Sequence, residues 1–127
     1  STIYARIRNR ATNSSLVVGV DSLPLRTESI GATKDGGMTI DSLGRYNVVV
    51  GQFKQIFNAR QMKQRLIDSG YAGAFILHTR EPLYYVCTAT SDDPQSIFEA
   101  WKRVKADKSV VLRDPLPFIL RPAHKAR

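Results

Sequence analysis

The chain has 127 residues, with 19 Lys+Arg against 11 Asp+Glu, 43% hydrophobic residues and one cysteine, a balance that excludes wholesale disorder and fibrous repeats. Cys87 alone forms no intramolecular disulfide, no Cys/His spacing suits zinc, and no apolar run approaches the roughly 18 residues of a membrane span. A formal net charge of +8 directs attention to anionic partners such as nucleic acid, membrane headgroups or acidic polysaccharide.

Residues 1–45 hold much of the glycine and small polar content and read as an N-terminal extension or linker, partly ordered at most. Within them, residues 16–20 read as a possible strand, residues 2–7 as a weaker alternating one, and residues 33–37 as a loop. A denser region begins at Tyr46. The β-branched run 46–50 stops at Gly51, as a buried strand does. A helix is predicted over 55–69, with Ala59, Met62 and Leu66 on its apolar face and Arg60, Lys63 and Arg65 on its polar side. Gly70 stands where a left-handed C-terminal cap is wanted.

A second strand is expected over 72–78 and, after the turn at 79–82, a third over 83–89. The next helix, 93–106, has Pro94 at its first position, Asp93 or Asp92 before it as the cap, and Ile97, Ala100, Trp101 and Val104 at helical spacing. Two apolar runs, 110–112 and 118–120, compete for the last strand, and 122–127 form a basic tail. The order β-α-β-β-α-β predicts an α+β, ferredoxin-like fold. A four-stranded antiparallel sheet would carry both helices on one face and leave the other open.

The ordered set Tyr46 to Phe53 (with Gly51 and Gln52), Asn58-Ala59, Leu66, Gly70-Tyr71 and Tyr84-Tyr85-Val86 resembles the SPOR (sporulation-related repeat) domain over residues 46–121. Two positions depart from the family pattern: Ala89 stands where a glycine usually follows the third strand, and Val49 where some members carry a ligand-contacting glutamine. The resemblance implies a non-catalytic module that binds peptidoglycan, preferring glycan strands stripped of stem peptides, at the septum of dividing bacteria. It also implies a periplasmic or envelope setting, with other division proteins as further partners and no cofactor. Because the chain opens on Ser1 and not on methionine, an upstream segment is expected to have been removed, by a protease or by design of the sequence; a signal peptide or a lipid-anchored leader is one form it could take.

Family sites of this kind use the open sheet face, and alternation along the strands nominates residues here. If Val48 and Val50 face the helices, Asn47 and Val49 face away; if Tyr84, Val86 and Thr88 face them, Leu83, Tyr85 and Cys87 face away. With Gln52 at the strand end and Phe118 at one side, this set offers an aromatic plate and amide groups, which suit the apolar faces and polar edges of sugars. Lys54, Arg60 and Arg80 are candidate contacts for the lactyl carboxylate that peptide removal exposes.

No nucleophile-base pair, phosphate loop or metal-ligand cluster is visible, so neither an enzyme nor a metalloprotein is expected. Phe53 and Trp101 read as core, Cys87 as a small apolar filler and His78 as a surface histidine. RNA binding shares the βαββαβ outline, but residues 83–90 lack the glycines and later aromatics of an RNA-recognition third strand. A structural or protein-interaction domain, its sheet face covered by residues 1–45, is the remaining alternative.

Overall fold

A computed structural model describes residues 24–28, 33–34, 38–39, 43–79 and 83–122. The expected strands at 2–7 and 16–20, the tail beyond Pro122, and Arg80 lie outside the described residues. The elements run β1 (Leu25–Glu28), β2 (Thr33–Lys34), β3 (Met38–Thr39), β4 (Tyr46–Phe53), α1 (Ile56–Asp68), β5 (Phe75–His78), β6 (Tyr84–Ser91), α2 (Pro94–Ala106) and β7 (Phe118–Pro122).

The architecture is α+β, consistent with a ferredoxin-like class, but the sheet has more strands than the four expected and is mixed. Its order is β1-β7-β4-β6-β5-β2-β3. The four strands after residue 45 pair antiparallel in the order β7-β4-β6-β5. β1 adds parallel to β7, and β2 adds antiparallel to β5. A four-stranded sheet would leave the outer edges of β7 and β5 with unpaired N–H and C=O groups, and β1 and β2 pair with those two edges. Residues 33–37 were expected to be a loop; instead Thr33 and Lys34 pair with Thr39 and Met38. Two-residue strands are too short to produce a periodicity.

Both helices lie on one face of the sheet. Ala59, Met62 and Leu66 of α1 and Ile97 and Val104 of α2 share a buried cluster with Val48, Val50, Ile76, Val86 and Ile119. At the end of α1, Gly70 takes φ 103°, and the Gly70 and Tyr71 N–H groups donate to the Ile67 and Leu66 carbonyls. Tyr71 then donates its hydroxyl to Asp107 at 2.7 Å, and the Arg103 guanidinium covers its ring. The Gly-Tyr pair thus ties the end of α1 to the end of α2. At the start of α2, the Asp93 carboxylate accepts from the Gln95 and Ser96 N–H groups.

The last strand is the 118–120 run; residues 110–112 belong to the connection that leads to it. Trp101 is half-buried, not core: its Nε1–H donates to the Pro117 carbonyl at 3.0 Å, and Lys105 lies over its ring. Phe53 is likewise a partly buried neighbour of the helix-side cluster. His78 is half-buried at its strand end, edge-on to Tyr84 at 5.2 Å. No helix among the described residues is long and apolar enough to cross a membrane.

Candidate functional site: the sheet face opposite the helices

The expected alternation holds at most positions. Val48 and Val50 join the helix-side cluster, while Val49, Tyr85, Cys87 and Phe118 share the opposite face with Leu43, Phe75, Leu77 and Leu120. Thr88 is the exception, because Val48 is opposite Ala89 but Val49 is opposite Cys87. Thr88 is therefore an extra residue in the ladder, and Ala89 takes the place against the helix-side cluster. A compensating shift at Val50 restores the register by Gly51. Ala89 therefore lies inside β6, which runs on to Ser91, and not after the end of the strand.

The expectation of an open face is corrected. Asn47, Val49 and Cys87 have no exposed surface, Phe118 has 1% and Tyr85 2%. Leu83 packs against this second cluster and Gln52, paired with Tyr85, is half-buried. Tyr85 and Phe118 meet edge to face, with ring centres 6.0 Å apart. The Arg26 guanidinium lies 4.1 Å from the Phe118 ring centre, brought there by the parallel pairing of β1 with β7.

Asn47 is sealed as well: its Nδ2 donates to the Gly44 and Leu120 carbonyls, each at 3.2 Å. Its Oδ1 is buried with no hydrogen-bond partner. The turn before β4 closes that end of the face. Gly44 donates its N–H to Thr90 Oγ1 at 2.6 Å, and the Arg45 N–H donates to Asp92. A Cβ on Gly44 would stand 2.6 Å from the Ser91 backbone, so only glycine permits this approach and the burial of Leu43 that follows it.

Of the expected anion contacts, the two among the described residues do not join this cluster. Lys54 is exposed on the bend between β4 and α1, and Arg60 is exposed on α1, the layer packed on the other face. Among the described residues, Arg26 is the cation placed over a ring of the cluster. Nothing local in the sequence pointed to it, because its position depends on a pairing across more than 90 residues. Phe75, Leu77 and Leu120 were also missed, although a signal existed: 75–77 and 118–120 are unbroken apolar runs, the pattern of strands buried on both faces. No group of three His, Cys, Asp or Glu side chains able to hold a metal occurs among the described residues.

Among the described residues, the cluster brings together aliphatic side chains, the Tyr85–Phe118 aromatic pair, the Phe75 ring and the Cys87 thiol, with the Asn47 amide beside them. The chain matches no protein-family model, no curated protein and no solved structure.

Proposed function

We propose that this chain is a non-catalytic module that binds peptidoglycan glycan strands, preferring those stripped of stem peptides, in the envelope of a dividing bacterium. The observation that carries this reading is positional. The residues that resemble the SPOR domain fall on the two central strands, β4 and β6, and on the Gly70-Tyr71 turn of a βαββαβ core. A net charge of +8 favours strands that expose lactyl carboxylates. Sugar contact through Asn47, Val49, Gln52, Leu83, Tyr85, Cys87 and Phe118 requires the layer over that face to lift. Lys54, Arg60 and Arg80 remain the candidate anion contacts.

The burial of Val49, Tyr85, Cys87 and Phe118 favours a second reading, a structural or protein-interaction domain whose sheet face stays covered. Sedimentation of the full chain with purified sacculi separates the two. Glycan binding predicts sedimentation that increases after amidase treatment. Equal sedimentation before and after, or none, removes the glycan reading and leaves the covered domain.

A further inference from the structure

The second half of β4, the end of α1 and the connection from α2 to β7 border a groove of about 660 Å³. Its floor is closed backbone: Val50 is 1% exposed, Gly51 is buried, and Leu116 and Pro117 continue beside them. Gly51 keeps that floor low, since a Cβ there would stand 2.6 Å from Met62 Sδ and 2.9 Å from the Phe53 ring. Half-buried Phe53, Val110 and Leu116 line the groove with apolar surface, and so does Val111, which is 75% exposed. Arg65 from α1 and Arg113 from the connection share the lining, and both are exposed. Among the described residues neither arginine forms an ion pair or a side-chain hydrogen bond. Asp68, the one carboxylate among the described lining residues, already accepts from Gln64 Nε2 at 3.0 Å. The lining therefore carries one positive charge in excess.

We propose that this groove binds a small apolar molecule bearing one carboxylate, its hydrocarbon part on the apolar lining and its carboxylate held by Arg65 and Arg113. The volume lies inside the range of about 300–1,000 Å³ typical of ligand pockets, and apolar surface with few charged groups is their usual lining. A guanidinium presents a planar fork of donors that matches the two oxygens of a carboxylate. A single carboxylate also balances the excess charge, whereas a cation is repelled and a neutral molecule leaves both arginines unmatched. The negative end of the α1 dipole does not stand against this. The Arg65, Leu66 and Ile67 carbonyls already accept from the Ser69, Tyr71 and Gly70 N–H groups. The ligand meets side chains only, and the pliable thioether of Met62 lets the lining adjust to a hydrocarbon.

Met62 and Leu66 belong to the helix-side cluster, so the groove lies away from the Tyr85–Phe118 face and the proposal does not rest on glycan binding. The test is titration of the isotope-labelled full chain with octanoate, followed by amide NMR shifts. Octanamide, which keeps the hydrocarbon and loses the charge, octylammonium, which reverses the charge, and acetate, which lacks the hydrocarbon, are the controls. Expected are saturable shifts concentrated in residues 50–53, 65–69 and 109–116, and binding at least about tenfold weaker for all three controls. The doubly substituted Arg65→Gln, Arg113→Gln chain should melt normally, because both side chains are exposed. It should lose about tenfold for octanoate and nothing for octanamide, a difference that a general loosening of the groove would not produce. Equal affinity for octanoate and any control, shifts centred elsewhere, or no binding at millimolar octanoate would each overturn the proposal. Should the double variant melt early, Arg113→Gln alone, read by the same pair of titrations, replaces it.

Discussion

The two faces of this sheet are equally dry but differently built. The helix-side face is closed by elements whose sequence announces them: α1 and α2 carry apolar stripes, caps and a glycine terminator, and they supply Ala59, Met62, Leu66, Ile97 and Val104. Among the described residues, no helix packs on the opposite face. Leu43 comes from the turn before β4, Leu83 from before β6 and Leu116 from before β7, while Arg26 comes from an edge strand. A face covered by helices is a core in the ordinary sense. The described elements on the second face are turns and an edge strand, and elements of that kind open at lower free energy than core strands. That difference bears on the proposed glycan binding, because the aromatic and amide groups nominated for sugar contact sit on the second face.

The sharpest way to break the comparison uses neighbours on one strand. Phe118 and Ile119 are adjacent in β7, both essentially unexposed, and belong to opposite clusters. If both faces are full cores, Phe118→Ala should lower unfolding free energy by about 3–5 kcal/mol and Ile119→Ala by about 2–5 kcal/mol. Denaturant midpoints read both. A loss for Phe118→Ala below about 1 kcal/mol would mark the second face as a detachable cover.

A smaller effect is expected from Gly44→Ala, which drives a methyl group into the Ser91 backbone. Overpacking of this kind costs about 1–3 kcal/mol. It should also raise amide exchange around Leu43 and Thr90 before it disturbs α1 or α2. Uniform loosening of both faces would show that the turn and the helical layer unfold together.

Arg26→Ala removes a guanidinium stacked on Phe118 at a half-buried position, worth about 0.5–2 kcal/mol. The same change should increase sedimentation with amidase-treated sacculi if loosening the β1 side helps uncover the sheet. Unchanged sedimentation with a normal melting temperature would detach Arg26 from any role in access.

The least disruptive probe is pH, and it reports on the helix side. Burial, followed by the hydrogen bond to Asp107 and that carboxylate's charge, holds the Tyr71 hydroxyl above its ordinary value of 10.0; burial does the same for Tyr46. The neutral forms are therefore favoured in the fold, so their contribution is complete below pH 10 and is lost as pH rises through the raised values. At the acid end, the Ser96 hydroxyl holds the Asp93 carboxyl below 3.8, and the Ser109 hydroxyl and then the Tyr71 hydroxyl do so for Asp107. Stability from both is present above that value and lost as pH falls through the lowered ones. Tyr71→Phe should flatten part of the alkaline limb; an unchanged limb would assign it to other groups.

What the sequence determined by itself was everything carried by short-range pattern. The helix bounds 55–69 and 93–106 fall within one residue of α1 and α2, because stripe, cap and terminator lie within a few positions of one another. The strands at 46 and 84 and the facing of Val48, Val49, Tyr85 and Val86 followed from alternation. The unbroken runs at 48–50, 75–77 and 118–120 also said that both faces of the sheet are buried, a message that the expectation of an open face passed over. Which of 110–112 and 118–120 became the last strand was decided by partners, since only the second run lies beside residues 47–49. Tertiary structure alone decided the rest: β1 beside β7, β2 beside β5, and Arg26 over Phe118. Strand pairing joins residues far apart in the chain through backbone groups that every residue shares, so it leaves almost no trace in the identity of the side chains.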